Sequence, residues 1–401
     1  MSIALKRIFE VTGKEFQRIG LSATVGNPDE VAKFIAGTGR EISIGQAVLA
    51  KNYGYRVEYL TPIEKDHELA AKLETTPEAS ARIRRLTELI DSHKSTLVFV
   101  NSRTIAELLG HRFDQLNRTY IAVHHGSLSK EERMSVEDSF KAGSLKAIIC
   151  TSTLELGIDV GNVDLVIQYM SPRQVSSLIQ RVGRSGHSLE RLSEVIITAH
   201  PDDTLESMAV VQNAKLNRLE PVQFHKNALD VLAHQIAGIL MDKETINQTD
   251  LLKIVNRAYP YSTLIEEKLQ NVVQFLESLY KLRTEEEGKV LKKTGRTREY
   301  YYSNLSMILD EKRYPVINIL TDRKIGTLGD EFMTLHARVG LHFIMRGKVW
   351  RMVQINDETG TVHVVPAEDP SAAIPGWDGE ILPVPFDLAQ QTGEMREKIG
   401  N

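Results

Sequence analysis

The sequence predicts an α/β domain built on a parallel, doubly wound sheet, followed by a helical domain and an all-β module. Three observations carry this prediction. Short apolar runs such as 96–100 and 147–150 alternate with amphipathic helical stretches, which is typical of parallel strands buried on both faces. Helical spacing then dominates 227–279, and from 314 onward the apolar positions recur with a period of two between turn sequences.

The elements of the α/β region follow in strand and helix order. Before it, 3–9 suits the end of a helix, 19–25 suits a strand, and Asn27 and Pro28 are typical of a helix N-cap and first turn. The predicted strands are 41–44, 56–60, 96–100, 120–123, 147–150, 164–169 and 193–198. The predicted helices are 78–91, 104–117, 130–142 and one that starts near Arg173.

Polar loops follow three of these strands. They are Asn101-Ser102-Arg103, the loop 124–127 that contains His125 and Gly126, and Thr151-Ser152-Thr153. Because the carboxyl ends of parallel strands share one edge of a sheet, we expect these loops to line one rim, where such sheets bind ligands.

A pair of arginines follows the helix near Arg173, in the segment 180–186, QRVGRSG. The guanidinium groups of Arg181 and Arg184 suit bidentate contact with phosphate, and Gly183 and Gly186 permit close backbone approach. An isolated pair at this spacing more often forms surface ion pairs. The pair alone therefore leaves both interpretations open.

The surrounding segments resemble the motifs of the second RecA-like domain of superfamily-two helicases. The resembling segments, in order, are 19–24 (IGLSAT, motif III), 95–103 (STLVFVNSR, motif IV), 124–129 (HHGSLS), 151–159 (TSTLELGID, motif V) and 180–186 (motif VI). Five motifs in order are improbable by chance. The phrasing LSATVGNPDEVAKFI, VHHGSLSKEER and TSTLELGIDVGNVDLVIQ is similar to the Lhr (large helicase-related) family, and the resemblance covers nearly the whole chain.

The resemblance implies a role for each matched residue. Arg184, with Arg181 beside it, would reach the γ-phosphate of ATP and stabilise charge in the transition state, with Gln180 orienting that contact. The nucleotide side would include Gly157 and Asp159, and the link between motor domains would include Ser22 and Thr24. The residues that would bind the tracked strand are Asn101, Ser102, Arg103, His125, Gly126, Thr151, Ser152 and Thr153.

The resemblance also implies a partner for ATP binding. None of the Gly-Lys pairs, at 13–14, 288–289 and 347–348, is followed by Ser or Thr as a phosphate loop requires, and the acidic pair at 310–311 continues into two basic residues. We therefore expect ATP and Mg²⁺ to be held mainly by a missing first RecA-like domain, in cis or in trans. No metal site is expected on this chain, and the chain alone is expected not to hydrolyse ATP.

The second half predicts two further domains. Helices at 227–241, 250–255 and 263–279 precede a basic, strand-prone hairpin at 289–302, a pattern that describes a winged helix. Its Lys292, Lys293, Arg296 and Arg298, with the tyrosines 300–302, suit contacts with nucleic acid, but winged helices in motors also serve as packing brackets, and both interpretations stay open.

The last region predicts an all-β, barrel-like module. Its strands are predicted at 317–320, 327–328, 341–345, 348–355 and 361–365. Trp350 lies within a strand and suits the core. Trp377 lies in a Pro/Gly loop, a position that suits stacking on a base, and relatives in the Lhr family carry a tryptophan in such a loop.

Composition leaves the class of partner open. The 49 Lys and Arg against 53 Asp and Glu give a net charge of −4, but a motor that tracks a strand needs only a local basic groove. The single cysteine, Cys150, lies in an apolar strand and fits a reducing compartment. Without a signal-peptide pattern or a run of about 18 apolar residues, a cytoplasmic protein without a membrane partner is predicted.

The sequence thus predicts the C-terminal motor half of an Lhr-like helicase. The predicted parts are a remnant of a first RecA-like domain (1–40), a second RecA-like domain (41–203), a connector with a winged helix (204–313) and a β-rich domain (314–401). The resemblance implies ATP-dependent 3′–5′ translocation on single-stranded DNA or an RNA–DNA duplex, in nucleic-acid repair. The alternative is a non-catalytic nucleic-acid-binding or regulatory fragment. We prefer the motor because Arg181, Arg184 and Asp159 have no evident use without a nucleotide.

Overall fold

The computed structural model describes residues 1–23, 25–45, 54–155, 161, 163–185, 192–308, 312–356, 358–367, 374–375 and 382–400. The chain forms two units, which are Met1–Val48 with Pro221–Asp310 and Leu49–Glu220 with Glu311–Asn401. The helices are α1 (Ser2–Thr12), α2 (Pro28–Ala36), α3 (Glu64–Leu73), α4 (Pro77–Asp91), α5 (Arg103–Gln115), α6 (Lys130–Lys141), α7 (Val175–Val182), α8 (Pro201–Lys215), α9 (Leu229–Lys243), α10 (Gln248–Asn256), α11 (Glu266–Ser278), α12 (Gly295–Ser303), α13 (Asp330–His336) and α14 (Phe386–Gly400). The strands are β1 (Gly54–Tyr59), β2 (Thr96–Phe99), β3 (Ile121–His124), β4 (Ala147–Cys150), β5 (Leu165–Tyr169), β6 (Leu192–Thr198), β7 (Thr245–Asn247), β8 (Leu282–Glu285), β9 (Val290–Lys293), β10 (Arg313–Asn318), β11 (Arg323–Gly329), β12 (His342–Met345), β13 (Lys348–Asn356), β14 (Thr361–Pro366) and β15 (Ile374–Pro375).

The unit that contains Leu49–Glu220 is centred on a parallel sheet. Within the described residues its strand order is β1-β6-β5-β2-β4-β3, and each neighbouring pair is parallel. Alternate side chains of a strand face opposite layers, so Val98 packs with the helical residues Ile83 and Phe113, while Leu97 packs with Phe140 and Leu154. The predicted doubly wound α/β class is confirmed.

The same unit includes the β module, whose mixed sheet has the order β11-β10-β14-β13-β12-β15 within the described residues. Its apolar core contains Val316, Phe343, Met352 and Trp350, and Trp350 is buried as predicted. Sequence reasoning missed the helix α14, whose Leu388 packs against Val210 of α8.

The other unit contains the predicted winged helix. Helices α9, α10 and α11 pack with the three-stranded antiparallel sheet β7-β9-β8 around a core that also takes in Ile3 of α1. The predicted strand at the end of the hairpin is wrong, because 295–303 forms the helix α12. The Thr294 hydroxyl accepts a hydrogen bond from Arg296 N, and the buried Thr297 hydroxyl accepts one from Thr294 N at 2.8 Å, so this pair caps the helix.

Two predicted strands near the N-terminus are also wrong in the part of the chain that the structure describes. Residues 19–23 and 41–45 have no regular structure, and the side chains of Ile19 and Leu21 are 76% and 96% exposed. An apolar run becomes a strand only when a neighbouring strand pairs with it, and no described strand does so here. Within the described residues, no helix is long and apolar enough to cross a membrane.

Candidate functional site

The loops that follow β2, β3 and β4 lie at one edge of the parallel sheet, as predicted from strand order. Phe99 of β2 and His124 of β3 both pair in register with Cys150 of β4. Beyond these ends, Val100 N donates a hydrogen bond to Cys150 O at 2.9 Å, and the Asn101 amide donates one to Ser171 O at 2.6 Å. The rim therefore joins segments that are far apart in the sequence.

Arg181 lies inside the protein rather than at the surface of this rim. Its side chain is 2% exposed, and its Nε and Nη2 both donate to Glu155 Oε2 at 3.1 Å. Its Nη1 donates to Gln168 Oε1 at 2.6 Å, and the guanidinium carbon lies 5.3 Å from the centre of the Phe99 ring. The predicted contact of Arg181 with phosphate is therefore corrected, since its guanidinium is enclosed and already bound. The structure makes it a link between α7, β5 and the loop after β4.

Sequence reasoning missed the two residues that hold Arg181. Glu155 directly follows a short 3₁₀ helix at Ser152–Leu154, and Gln168 lies on the buried strand β5. A glutamine inside the apolar run LVIQY was the available signal, because a buried amide needs a hydrogen-bond partner.

A second buried carboxyl group lies on the same sheet, at Glu194 of β6. Its side chain is 0% exposed, and neither carboxyl oxygen has a hydrogen-bond partner among the described residues. Burial raises the pKa of Glu194 well above its ordinary value, and the positive charge of Arg181 opposes this shift only in part. The folded chain is therefore expected to keep the Glu194 proton to a higher pH than the unfolded chain.

We expect Glu194→Gln to stabilise the fold increasingly as pH rises. The raised pKa means that the folded chain holds a proton that the unfolded chain releases. The stability due to this proton is complete below the unfolded pKa, and it is lost as pH rises towards the folded pKa. Glutamine needs no proton, so the variant should gain on the order of 1 kcal/mol or more at neutral pH. Urea unfolding at pH 5 and pH 8 measures the difference.

The exposed position Glu331 provides the control for this prediction, since Glu331→Gln makes the same chemical change at the surface of α13. A gain for Glu194→Gln that is equal at the two pH values would contradict the expected protonation of the buried carboxyl.

Arg184 differs from Arg181 in its burial and in the partners of its guanidinium. It lies in the turn after α7, where its backbone N donates to Arg181 O at 3.0 Å, and its side chain is half-buried. Within the described residues no hydrogen bond or ion pair of its guanidinium is observed, and its Nε is buried without a partner. An orphaned buried donor of this kind suits an anion such as phosphate. The neighbouring Gln180 is half-buried at the end of the same helix.

Two carboxylates hold the other end of α7. The carboxylate of Glu220 accepts hydrogen bonds from Val175 N and, at 3.0 Å, from Ser176 N, so it caps the first turn of the helix. Asp203 is buried and accepts from Ser171 N and Ala199 N, both at 2.7 Å, which fixes the loop that leads into α7. The helix that leads to Arg184 is therefore held at both ends.

The exposed part of the predicted strand-binding set centres on Gly126 and Ser152. A Cβ atom at Gly126 would lie 3.8 Å from Thr153 Cγ2, so the two loops touch. Thr151 and Thr153 are half-buried, and Thr153 Oγ1 lies 2.9 Å from His124 Nδ1. These residues present hydroxyl groups and backbone beside one another.

The remaining members of the predicted strand-binding set occupy more structural positions. Ser102 Oγ accepts from Ile105 N at 3.2 Å and caps α5, and the half-buried Arg103 begins that helix. His125 is 0% exposed: its Nε2 donates to Glu107 Oε1 at 2.7 Å, and its Nδ1 accepts from Ser127 N at 3.2 Å. The predicted contact of His125 with the strand is therefore corrected, because burial removes its ring from the surface.

Several predicted positions do not enter this geometry. Ser22 is exposed in an irregular segment. The predicted residues that lie outside the described residues are Thr24, Gly157, Asp159 and Trp377.

The structure separates the two interpretations of the winged-helix tyrosines. Tyr301 stacks on His234 at 4.6 Å and contacts Arg7, so it is a packing residue, and Tyr300 packs against the domain core. Tyr302 is 56% exposed with Arg298 stacked on its ring at 5.8 Å, and the exposed Arg296 stacks on Tyr280. Two arginines of α12 thus pair with exposed tyrosines, Arg298 with Tyr302 on the same helix and Arg296 with Tyr280.

Comparisons with known proteins agree with this fold and with the sequence motifs. Residues 81–188 match the helicase conserved C-terminal domain, and residues 212–374 match the winged helix domain of the large helicase-related protein. The ATP-dependent helicase Lhr-Core protein 2 of Thermococcus barophilus is 34% identical over 420 residues, which covers 100% of this chain and 47% of that protein. The chain thus spans about half the length of the curated relatives it matches.

Solved structures show the same likeness. Helicase Lhr of Mycobacterium smegmatis, solved with ssDNA and AMP-PNP, is 31% identical with a TM-score of 0.63, covering 78% of this chain and 41% of that one. The DUF1998 helicase MrfA, solved with DNA, is 15% identical with a TM-score of 0.67, covers 92% of this chain and 51% of that one, and shows the fold alone. The chain belongs to the large helicase-related (Lhr) family of ATP-dependent helicases and carries its helicase C-terminal domain and its winged helix.

Proposed function

We propose that this chain is the C-terminal motor half of an Lhr-like, ATP-dependent helicase. The observation that carries the proposal is the contrast between two arginines of α7 and its following turn. Arg181 is buried in an ion pair, whereas Arg184 has a guanidinium that no described residue binds. A fixed cation with free donors suits the γ-phosphate of ATP.

The proposal assigns the rest of the nucleotide site to a first RecA-like domain. That domain would hold most of ATP together with Mg²⁺, and Gly157 and Asp159 would line the nucleotide side of this chain. Gln180 would orient the arginine contact, and Ser22 and Thr24 would couple the two domains. The four parts 1–40, 41–203, 204–313 and 314–401 belong to the same proposal.

The nucleic-acid side of the proposal rests on the rim. Single-stranded DNA, or one strand of an RNA–DNA duplex, would pass Gly126, Ser152 and the neighbouring hydroxyls, and Trp377 would stack on a base. The M. smegmatis relative was solved with ssDNA and an ATP analogue, which supports testing these two ligands. A 3′–5′ direction, a role in repair and a cytoplasmic location extend the proposal, and unwinding of 3′-tailed against 5′-tailed duplexes tests the direction.

The test of the whole proposal is an ATPase assay. The chain is measured alone and then mixed with a phosphate-loop domain from the same source, with and without ssDNA. Turnover that appears only in the mixture and rises with ssDNA is the expected result. Strand binding with the usual salt dependence and no turnover would instead support the alternative, a non-catalytic nucleic-acid-binding or regulatory protein.

The two arginines of α12 that pair with exposed tyrosines lead to a prediction about nucleic-acid binding. It applies to the motor and to the non-catalytic alternative alike. We expect the double change of Arg296 and Arg298 to alanine to weaken oligo-dT binding and to reduce the salt slope by about 1.4, since each phosphate contact with a single strand adds about 0.7 to that slope. Fluorescence anisotropy at several salt concentrations measures it. Lys268→Ala, which removes an exposed cation on α11, is the control. An unchanged salt slope in the double variant would mean that Arg296 and Arg298 do not contact the strand.

A further inference from the structure

Glu107 on α5 is a buried carboxylate that joins the parallel-sheet domain to the β module. Its side chain is 0% exposed. Its Oε1 accepts hydrogen bonds from His125 Nε2 at 2.7 Å and from Arg346 N at 2.8 Å, and its Oε2 accepts one from Gly347 N at 2.5 Å. One side chain thus binds both the rim loop after β3 and the turn between β12 and β13.

Gly347, in the turn that Glu107 binds, is closely enclosed. Arg346 and Gly347 have φ values of 60° and 69°, as a two-residue hairpin turn requires. A Cβ atom at Gly347 would lie 2.9 Å from the carbonyl carbon of Gly110 on α5, and His111 Nδ1 lies 3.2 Å from Gly347 O. Position 347 has no room for a larger residue, and the turn has little freedom to move away from α5.

The rim loop is held by the β module a second time, two residues further along. Thr327 N donates to Ser127 O at 2.9 Å, and Leu128 forms an antiparallel bridge with Gly326. Leu128 is also part of the apolar core of the β module. On its other side the same loop meets Thr153 through Gly126, so it lies between the rim and the module.

We propose that Glu107 is a positioning residue that fixes the rim loop 124–128 to the β12–β13 turn, so that the position of the β module sets the affinity of the rim for a nucleic-acid strand. The inference rests on the proposed function, because it takes Gly126 as part of the strand-binding surface. Two buried N–H donors and the N–H of Arg346 share the two carboxylate oxygens of Glu107, so the hydrogen bonds at its two ends depend on one another.

A double-mutant cycle with oligo-dT tests this link on the full chain. Gly347→Ala displaces the turn, since alanine there has a positive φ and overlaps Gly110. Glu107→Gln keeps the shape but turns an amide donor towards at least one of the three N–H donors. We expect each change to weaken oligo-dT binding about fivefold or more and the double variant to be no weaker than the worse single one.

Two matched controls separate positioning from general damage. Gly360→Ala strains another turn of the β module, with a φ of 62° and no contact with α5, and is expected to leave oligo-dT binding unchanged. Glu137→Gln changes the carboxylate that binds His124, the other histidine of the loop, at 2.9 Å, and is expected to have less effect than Glu107→Gln. Effects of Gly347→Ala and Glu107→Gln that add would overturn the proposal, because they would be independent.

Hydrogen exchange without nucleic acid provides an arm that does not depend on strand binding. Gly347→Ala should speed exchange of the amides at 125–128 about fivefold or more, and Gly360→Ala should not. If the wild-type chain binds no oligo-dT, the proposed function fails. Hydrogen exchange then still tests whether Glu107 connects the rim loop to the β12–β13 turn. Equal exchange rates at 125–128 in wild type, Gly347→Ala and Glu107→Gln would refute the connection through Glu107. If Gly347→Ala does not fold, the comparison of wild type with Glu107→Gln decides.

Discussion

Replacing Arg184 with alanine is expected to lower ssDNA-stimulated ATP hydrolysis by about 10³-fold or more when the chain is combined with a phosphate-loop domain. The guanidinium would meet charge that develops on the γ-phosphate, so its loss affects the transition state most. The stability of the chain should change little, because the side chain is half-buried and no described residue binds its guanidinium.

Turnover at saturating ATP and urea unfolding of the same preparation together measure this prediction. Arg184→Lys keeps the charge without the planar fork and should recover only part of the activity. Arg218→Ala, an exposed arginine after α8, is the control. Full ATP hydrolysis by Arg184→Ala would contradict the proposed contact of Arg184 with the γ-phosphate, on which the motor hypothesis depends.

Replacing Arg181 with alanine is expected to lower the free energy of unfolding by about 3–5 kcal/mol, the cost of breaking a buried ion pair from one side. Glu155 would keep a buried charge without its cation, and the Gln168 carbonyl would lose its donor. Glu194 would also lose the positive charge that opposes its raised pKa. Urea or thermal unfolding measures the loss.

A paired replacement tests the cause of that loss. Arg181→Met combined with Glu155→Leu removes both charges and fills the space with apolar atoms, so it should be more stable than Arg181→Ala. A loss below about 1 kcal/mol in Arg181→Ala would mean that water reaches the pair and that the site is not enclosed.

These two variants distinguish arginines that stand three residues apart in one motif. Both should lose ATP hydrolysis in the mixture, Arg184→Ala through the missing cation and Arg181→Ala through displacement of α7. Only Arg181→Ala should also lose stability. That result would assign one residue of the motif to the ligand and the other to the support of the helix that precedes it.

The position of the rim was predictable from the sequence because strand direction is a local property. Once 96–100, 120–123 and 147–150 are recognised as parallel strands, their following loops must share an edge, and Asn101, Gly126 and Thr151 do so. The winged helix and the β module were predictable for the same reason, since apolar periodicity is a property of neighbouring residues.

The burial of individual side chains was not predictable in this way. Arg181 is enclosed by Glu155, 26 residues away, and by Gln168, 13 residues away, and His125 is held by Glu107, 18 residues away. The α12 helix depends on Thr297, whose hydroxyl donates to Lys281 O, 16 residues earlier. Each of these contacts depends on chain segments that only the packed structure brings together.

The sequence by itself determined the order of the elements, the motifs at the strand ends and the family, because these follow from patterns within a few residues. The tertiary structure alone decided which polar side chains are available to a ligand. Arg181 and His125 carry motif positions yet lie inside, whereas Arg184 is half-buried and Gly126 is exposed. The physical reason is that a buried charge or N–H group must find its partner within the fold, and that partner can come from anywhere in the chain.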